Sequence, residues 1–466
     1  MSEKDKSLHG LKTGAFSRRF ELSKLGVRYG ARAVRQNIWQ RFSGDDDAAL
    51  AKRTENIDFF VEELGRLKGS VVKIGQIMAT YSDYMMPPEV AEALHKLEDN
   101  TPPMSWQSIR KVLVNELGEE ALANLEIDTQ PLAAASLGQV HRAVLRDTGE
   151  QLCIKVQYPG VEDTIDADFS AVMQLLKVSR LMPSVRNLDD WFGDIRLLLR
   201  KEVDYEQERR DLDFVRHALR EDSRFVVPKS YPAFCTRRVL TMSYEQATSV
   251  NSADVAALAQ PRRNRLGKAV LELFLSELFE WRRMQTDPNF GNFRVRIDEE
   301  GDDDKLLLLD FGAMRLLPED FASEFCDMLL AACQRDKPRF LEYSISLGFM
   351  KSHFPQSVLD NFVDIGVDIA EPLRAIDGHV PARAVTEDGH YWWRNSGLPQ
   401  RIAKRAVAAS ISKYFALPPK DFLYVMRKLM GVYALIALLD AQFNADGAVE
   451  KYLPKPENKK GRKAAK

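Results

Sequence analysis

The sequence predicts an α+β fold in which a small, strand-containing part is flanked by long helical stretches. Two β-hairpin patterns stand in a chain of 466 residues whose other apolar residues mostly repeat at helical spacing. At roughly 150 residues per domain, this length allows two or three structural units. The chain is 45% hydrophobic, which is enough to build a core and excludes global disorder.

The first part of the chain is predicted to be helical. Apolar side chains in residues 20–42 fall on one face, which indicates an amphipathic helix that lies either on the protein body or on a membrane surface. The face consists of Phe20, Val27, Ala31, Val34, Ile38 and Phe42, with Arg28, Arg32 and Arg35 beside it. Helical spacing returns at 57–67, and another helix is expected from Ser105, as N-cap, to Gly118. No strand is predicted before residue 125.

Alternating patterns then predict two hairpins among further helices. The predicted strands are 139–145 with 151–156, a single strand at 238–242, and 293–297 with 305–309. Helical spacing occupies 161–220 and most of the chain after 253.

These patterns divide the chain into five segments with unequal charge. The segments are a basic amphipathic arm (1–45), a helical extension (46–125), a small lobe with strands (126–245), a helical lobe (246–450) and a basic tail (451–466). The net charge is +7 in residues 1–42 and +6 in 451–466, which leaves −15 between them. An acidic body argues against nucleic acid as a partner, whereas an anionic membrane would attract the basic ends.

Other classes of protein are excluded by composition. The four cysteines form no CxxC pair and no zinc-type cluster with histidine, which favours reduced thiols. The longest apolar run, 429–439, has 11 residues, whereas a membrane-spanning helix needs about 20. The first ten residues lack a signal-peptide core. We therefore expect an intracellular protein without a transmembrane helix, cytoplasmic or, in a eukaryote, on the matrix side of the mitochondrion, with peripheral membrane contact left open.

The second hairpin brings together a candidate metal site. Asn292 precedes its first strand and Asp310 follows its second, so the two lie close, because antiparallel strands start and stop at the same end. A carboxylate beside a carboxamide oxygen suits Mg²⁺. Asp287 reaches toward the same place. The chain thus has Asp287, then Asn292 five positions later, and then Asp310-Phe311-Gly312. This is the order of the catalytic loop and the metal loop in protein kinases.

The first hairpin supplies a candidate phosphate-binding lysine. Lys155 lies on its second strand, within the segment Leu-Cys-Ile-Lys that corresponds to the kinase V-A-I-K. A lysine in an apolar strand needs a partner, and the acidic segment 202–208 offers several. A continuous helix there would place Glu202 and Glu206 on one face and Glu208 elsewhere.

The segment before this hairpin differs from a kinase Gly-rich loop. It reads Ala133-Ala134-Ala135-Ser136. Alanines disfavour the positive φ values that let backbone amides close over phosphates. We expect nucleotide to bind with its phosphates held differently, and transfer of the γ-phosphoryl group to a large substrate to be less favoured.

The sequence resembles the UbiB/AarF family of atypical kinases, and within it the subgroup tied to coenzyme Q biosynthesis. The likeness covers roughly residues 55–440. The matching motifs are Lys73-Ile74-Gly75-Gln76 (KxGQ), the Ala-rich segment 133–136, QYPGV at 157–161, Glu202-Val203-Asp204 (ExD), the catalytic loop 285–292 and the metal loop 310–312.

This resemblance implies a protein-kinase-like fold of two lobes with a helical KxGQ extension packed over the active site. Lys73, Gln76 and Glu202 would belong to that extension's contact with the site. The helix-αC glutamate of the family stands six positions after the first ExD residue, which makes Glu208 the expected partner of Lys155.

The resemblance also implies a nucleotide pocket and a metabolic setting. Cys153 takes the place of the alanine that contacts adenine, and Ser243 falls in the hinge region, where Ser243 and Ala247 replace the Glu and Gly of relatives. The family is associated with ATP and ADP binding, ATPase activity, lipid binding and support of quinone biosynthesis. The expected cofactors are ATP or ADP and Mg²⁺, and the expected partners are lipid or quinone-biosynthesis proteins.

Three functions are compatible with these features. One is an atypical kinase or ATPase that assists a membrane-linked quinone or lipid pathway, the second a catalytically silent nucleotide-binding scaffold, and the third a small-molecule phosphotransferase. The intact set Lys155, Asp287, Asn292 and Asp310 favours the first, because a scaffold needs no metal ligands. The KxGQ motif and the Ala-rich segment count against the third.

Overall fold

The fold is described from a computed structural model. The described residues are 71, 73–75, 77–78, 103–178, 188–287, 289–410 and 419–452. They divide into two compact units, one formed by 71–215 with 228–244 and the other by 216–227 with 245–452. The predicted amphipathic arm, Gln76 and most of the basic tail lie outside the described residues. The five segment boundaries stay predictions.

The described residues contain runs of helices beside mainly antiparallel sheets, which confirms the predicted α+β class. The helices are α1 (Trp106–Ala123), α2 (Val161–Val178), α3 (Leu188–Glu202), α4 (Tyr205–Ala218), α5 (Ala253–Ala256), α6 (Gln260–Leu275), α7 (Glu319–Cys333), α8 (Lys337–Ser346), α9 (Gln356–Ile369), α10 (Leu398–Ser410) and α11 (Lys420–Leu438). The strands are β1 (Leu125–Ala134), β2 (Gly138–Leu145), β3 (Gln151–Gln157), β4 (Phe225–Val226), β5 (Val239–Ser243), β6 (Thr248–Ser249), β7 (Arg283–Gln285), β8 (Phe293–Arg296), β9 (Lys305–Leu308) and β10 (Met314–Leu316).

The first unit contains a four-stranded antiparallel sheet in the order β1-β2-β3-β5. The β2–β3 hairpin is the predicted one. Its second strand buries Leu152, Ile154 and Val156 completely on one face. Because side chains alternate along a strand, Cys153 and Lys155 lie on the opposite, partly exposed face.

Strand β1 is absent from the sequence prediction. It is an edge strand, most of its side chains are exposed, and its pairing with β2 shifts register on both sides of Pro131. The strand therefore carries no alternating apolar pattern. Two alanines of the Ala-rich segment belong to it rather than to a loop, since Ala133 pairs with Val140 and Ala134 with Gln139.

Two helical expectations are corrected. The acidic segment is not one helix: α3 ends at Glu202 and α4 begins at Tyr205, so Glu202 and Glu206 lie on different helices. Asp204 causes the break, because its Oδ1 accepts the Gln207 backbone N–H at 2.9 Å and starts a new helix. Helix α1 does not end at Gly118 but kinks there at a φ of 78° and continues to Ala123.

The second unit is mainly helical, with two small sheets. One sheet has the order β4-β9-β8-β6 and includes the predicted second hairpin, β8–β9; the other pairs β7 with β10. Val295, Leu306 and Leu307 of that hairpin are fully buried, which anchors both strands in the core of the unit. A π-helical turn, Ser276–Glu280, connects α6 to the segment before β7.

Candidate functional site

The first unit holds the predicted lysine in an ion pair with a glutamate. Lys155 Nζ lies 2.8 Å and 2.9 Å from the two carboxylate oxygens of Glu208. The Glu208 side chain is 2% exposed and that of Lys155 is 26% exposed. The lysine also stands 4.8 Å from the centre of the Tyr205 ring. The sequence offered Glu202 and Glu208 as partners for Lys155, and the structure places Glu208 there.

Glu202 pairs with another lysine. Its Oε1 lies 3.0 Å from Lys73 Nζ, and both side chains are about one-fifth exposed. The joint between α3 and α4 is also tied to the end of β3, because Gln157 Nε2 donates to the backbone oxygen of Val203 at 2.7 Å. The KxGQ lysine and the ExD glutamate thus meet within the first unit, whereas Gln76 lies outside the described residues.

The predicted nucleotide-binding residues lie around the same sheet. The Ala135 N–H donates to the Gly138 oxygen at 2.8 Å, and the Ser136 side chain is buried. A Cβ at Gly138 would meet the Val156 oxygen at 2.5 Å, so this tight turn requires glycine.

Cys153 and Ser243 occupy neighbouring strands. Cys153 pairs with Met242, and Ser243 pairs with Leu152 at the end of β5. Cys153 is half-buried on the same strand face as Lys155. Their contact with nucleotide stays a prediction.

The second unit brings the predicted metal ligands together. Phe293 pairs with Leu308, and the Leu309 N–H donates to the Asn292 oxygen at 3.1 Å, so Asn292 and Asp310 leave the hairpin side by side. Asn292 Nδ2 donates to the Asp287 backbone oxygen at 3.5 Å, which ties the catalytic loop to the same place.

The donor chemistry of this pair fits Mg²⁺. Asp310 offers a carboxylate and Asn292 a carboxamide oxygen, and Mg²⁺ takes one or two such protein ligands together with substrate phosphates and waters. The Asp310 Oδ1 also accepts the Gly312 N–H at 2.8 Å, which fixes the orientation of the carboxylate. Within the described ranges, no group of three or more His, Cys, Asp or Glu side chains could hold a metal ion. A Mg²⁺ ion here would be held by two protein oxygens and by ligands from outside the chain.

Sequence reasoning missed Arg427. Its Nη2 lies 3.4 Å from Asp287 Oδ1, and both side chains are about one-fifth exposed. The catalytic loop from Asp287 to Asn292 contains no lysine or arginine. Helix α11 therefore supplies a guanidinium at the candidate catalytic aspartate. No local signal could have revealed this contact, because 140 positions separate the two residues.

A buried ion pair supports the same region. Lys428 Nζ lies 2.8 Å from Glu277 Oε2, and both side chains are about 5% exposed or less. Burial raises the pKa of the Glu277 carboxyl, while Lys428 and the Gln285 backbone N–H act in the opposite direction. The pair joins α11 to the π-helical turn that precedes β7.

These features define a protein-kinase-like protein. A strand lysine pairs with a helix glutamate, and Asp287, Asn292 and the metal loop lie around a second hairpin. Residues 96–344 match the ABC1 atypical kinase-like domain. The chain therefore belongs to this family of atypical kinases.

Similarity to named relatives extends over most of the chain. It is 30% identical to the mitochondrial atypical kinase COQ8 of Saccharomyces cerevisiae, across 92% of this chain and 83% of that protein. It is also 30% identical to the mitochondrial atypical kinase COQ8 of Schizosaccharomyces pombe, across 85% of this chain and 62% of that protein.

A solved structure shares the fold. The complex of Rv3197 with erythromycin from Mycobacterium tuberculosis superimposes with a TM-score of 0.59 at 22% sequence identity, covering 88% of this chain and 97% of that one. Among the described residues, no helix is both long and apolar enough to cross a bilayer.

Proposed function

We propose that this chain is an ATP-dependent atypical kinase or ATPase that supports a membrane-linked ubiquinone or lipid pathway. The observation that carries the proposal is the ion pair of Lys155 with Glu208. A lysine held by a buried carboxylate on a strand face is pre-oriented to bind nucleotide phosphates, and this ion pair must be in place in active kinases.

Each unit contributes its own groups to this chemistry. In the first unit, Lys155 would bind phosphate oxygens, while Ala133, Ala134, Ala135, Ser136, Cys153 and Ser243 would contact the nucleotide. In the second unit, Asp287 would orient the attacking hydroxyl or water, and Asn292 with Asp310 would hold Mg²⁺. When bound, Mg²⁺ supplies charge neutralisation at the transferred phosphoryl group.

The extension would regulate this activity. Lys73 and Gln76, with Glu202, are the residues proposed for that role, and the 3.0 Å Lys73–Glu202 contact supports it. Water is the simplest phosphoryl acceptor, because the Ala-rich segment disfavours a closed loop over the phosphates.

The pathway is inferred from relatives and from charge. The resemblance to the coenzyme Q subgroup, together with the mitochondrial atypical kinases to which the chain is similar, supports a role in ubiquinone biosynthesis. The +7 charge of residues 1–42 supports peripheral contact with anionic membrane. Lipid or quinone-biosynthesis proteins are the proposed partners, and the compartment is cytoplasmic or, in a eukaryote, the mitochondrial matrix side.

ATP turnover by the full-length protein, with and without anionic liposomes, tests this proposal. We expect Mg²⁺-dependent turnover that rises with liposomes, and loss of the liposome effect when residues 1–42 are deleted. Nucleotide binding without turnover under either condition would instead favour the silent scaffold. The absence of both binding and turnover would reject the nucleotide function altogether.

A further inference from the structure

Gln285 connects the catalytic loop to the metal loop through its side-chain amide. Its Nε2 donates to the backbone oxygen of Asp310 at 2.9 Å, and its Oε1 accepts the backbone N–H of Asp287 at 2.8 Å. The side chain is 6% exposed. One buried amide thus touches the main chain of two candidate functional residues that are 23 positions apart in sequence.

The two hydrogen bonds require the amide in one orientation. Rotating it by 180° would place the NH₂ group against the Asp287 N–H and the oxygen against the Asp310 carbonyl. Both bonds would then become repulsive contacts. The asymmetric amide therefore matches an asymmetric pair of main-chain groups, which a side chain of similar shape without this polarity would not satisfy.

The backbone of Gln285 is held independently of its side chain. Strand β7 pairs with β10, with Gln285 opposite Met314. The following residue, Thr286, donates both its N–H and its Oγ1–H to the Ala313 oxygen, at 3.1 Å and 2.9 Å. The buried Glu277 carboxylate receives the Gln285 N–H. A change confined to the side chain should therefore leave β7 in place.

We propose that Gln285 is a positioning residue that fixes the catalytic loop relative to the metal loop. It acts through the main chain of Asp287 and Asp310, whose side chains bear the proposed chemistry. This inference rests on the proposed function. Without the bridge, Thr286 still ties the two loops at Ala313, but the hydrogen bonds that set Asp287 against Asp310 are lost, and a misplacement of about 1 Å can reduce a rate on the order of 100-fold.

Three variants separate the two hydrogen bonds. Gln285→Glu keeps the acceptor for Asp287 and loses the donor to Asp310. Gln285→Met has a similar length and loses both. Gln285→His is the conservative variant, because an imidazole has one donor and one acceptor nitrogen. Gln356→Glu, at an exposed position on α9, is the matched control.

Steady-state kinetics at varied Mg²⁺ provides the first readout. Gln285→Met should lower kcat on the order of 10-fold to 100-fold and require more Mg²⁺ for half-maximal turnover, with metal-free nucleotide affinity within about twofold of wild type. Gln285→His should recover part of kcat, and Gln356→Glu should behave as wild type. Unchanged kcat and Mg²⁺ dependence in Gln285→Met would overturn the proposal.

Hydrogen–deuterium exchange of the full-length protein gives a readout that does not need turnover. Gln285→Glu should speed exchange only in peptides covering 308–313, whereas Gln285→Met should speed it there and at 286–292, with other regions unchanged. Identical exchange in all variants would reject the bridge. If the wild-type protein shows no ATP turnover but the variants show these exchange changes, the proposed function is rejected and the hydrogen-bonded bridge through Gln285 is still supported.

Discussion

The ion pair of Lys155 with Glu208 gives an asymmetric stability prediction. Lys155→Met removes the cation 2.8 Å from a carboxylate that is 2% exposed. Breaking a buried ion pair by removing one partner costs about 3–5 kcal/mol, because the remaining charge stays away from water. Since water reaches the Lys155 end of this pair, we expect the lower limit, about 3 kcal/mol.

The reverse substitution should cost less. In Glu208→Gln, the remaining ammonium is 26% exposed and can reach water, while the amide oxygen still accepts a hydrogen bond. The expected destabilisation is about 1 kcal/mol. The two variants should thus differ by about 2 kcal/mol, although each removes one partner of the same pair.

Thermal unfolding provides the stability assay. A loss of about 3 kcal/mol corresponds to a drop in Tm of about 6–12 °C for a unit of roughly 200 residues. Lys73→Met is the control, because the Lys73–Glu202 pair has a similar separation but both partners are about one-fifth exposed, so its loss should cost less than about 1 kcal/mol.

Turnover measures the functional role of the same pair. Lys155→Met should reduce ATP turnover on the order of 100-fold or more, because the lysine orients the phosphates. Equal Tm losses for Lys155→Met, Glu208→Gln and Lys73→Met would refute the burial argument. Wild-type turnover in Lys155→Met would refute the phosphate-binding role.

Three further outcomes follow from the structure. Asp310→Asn should weaken Mg²⁺-dependent nucleotide binding on the order of 10-fold or more and leave metal-free binding unchanged. Nucleotide titration with and without Mg²⁺ measures this. Equal Mg²⁺ dependence in variant and wild type would exclude Asp310 as a Mg²⁺ ligand. Burial lowers the pKa of His141, so the folded state binds fewer protons than the unfolded state below about pH 6.5. The free energy of unfolding, measured by urea titration, should therefore fall as the pH is lowered from about 7 to about 5. In His141→Gln this free energy should fall less steeply over the same range. Lys428→Met should destabilise by about 3–5 kcal/mol, whereas adding Glu277→Gln should restore part of that loss, because its amide oxygen still accepts the Gln285 N–H and no buried charge remains; additive losses in urea denaturation would contradict a coupled pair.

The two hairpins could be predicted because each combines local signals. Strands β2 and β3 alternate over a recognisable turn, and β8 and β9 flank an acidic turn, so pairing within each hairpin followed from nearby residues. Antiparallel geometry then placed Asn292 beside Asp310 without knowledge of the rest of the fold. The closeness of Asn292 and Asp310 could therefore be predicted from the sequence.

Contacts between residues far apart in the sequence could not be predicted. Strand β1 is held at the sheet edge by its pairing with β2, and its mostly exposed side chains and the register shifts at Pro131 leave no alternating apolar pattern in the sequence. Arg427 meets Asp287 from a helix 140 positions later. The charge of an arginine on a helix does not reveal which distant carboxylate it faces, since most such residues lie on solvated surfaces.

The break before α4 was predictable from a signal that the sequence contains. Asp204 is followed three positions later by Gln207, the spacing of a capping box, and the Gln207 N–H indeed donates to Asp204 Oδ1 at 2.9 Å. Helical periodicity on both sides concealed this signal, because the acidic run 202–208 reads as one amphipathic surface.

This single cap explains how two glutamates six positions apart serve two lysines. In one continuous helix, two residues six positions apart would point in directions about 120° apart around the helix axis. The break at Asp204 instead ends α3 at Glu202 and starts α4 at Tyr205, so each glutamate is carried by its own helix. Glu202 then reaches Lys73 and Glu208 reaches Lys155 without competition between them. Each ion pair therefore depends on a glutamate from a different helix. The ExD aspartate therefore acts as the structural divider of the motif, while the glutamates on either side of it make the contacts.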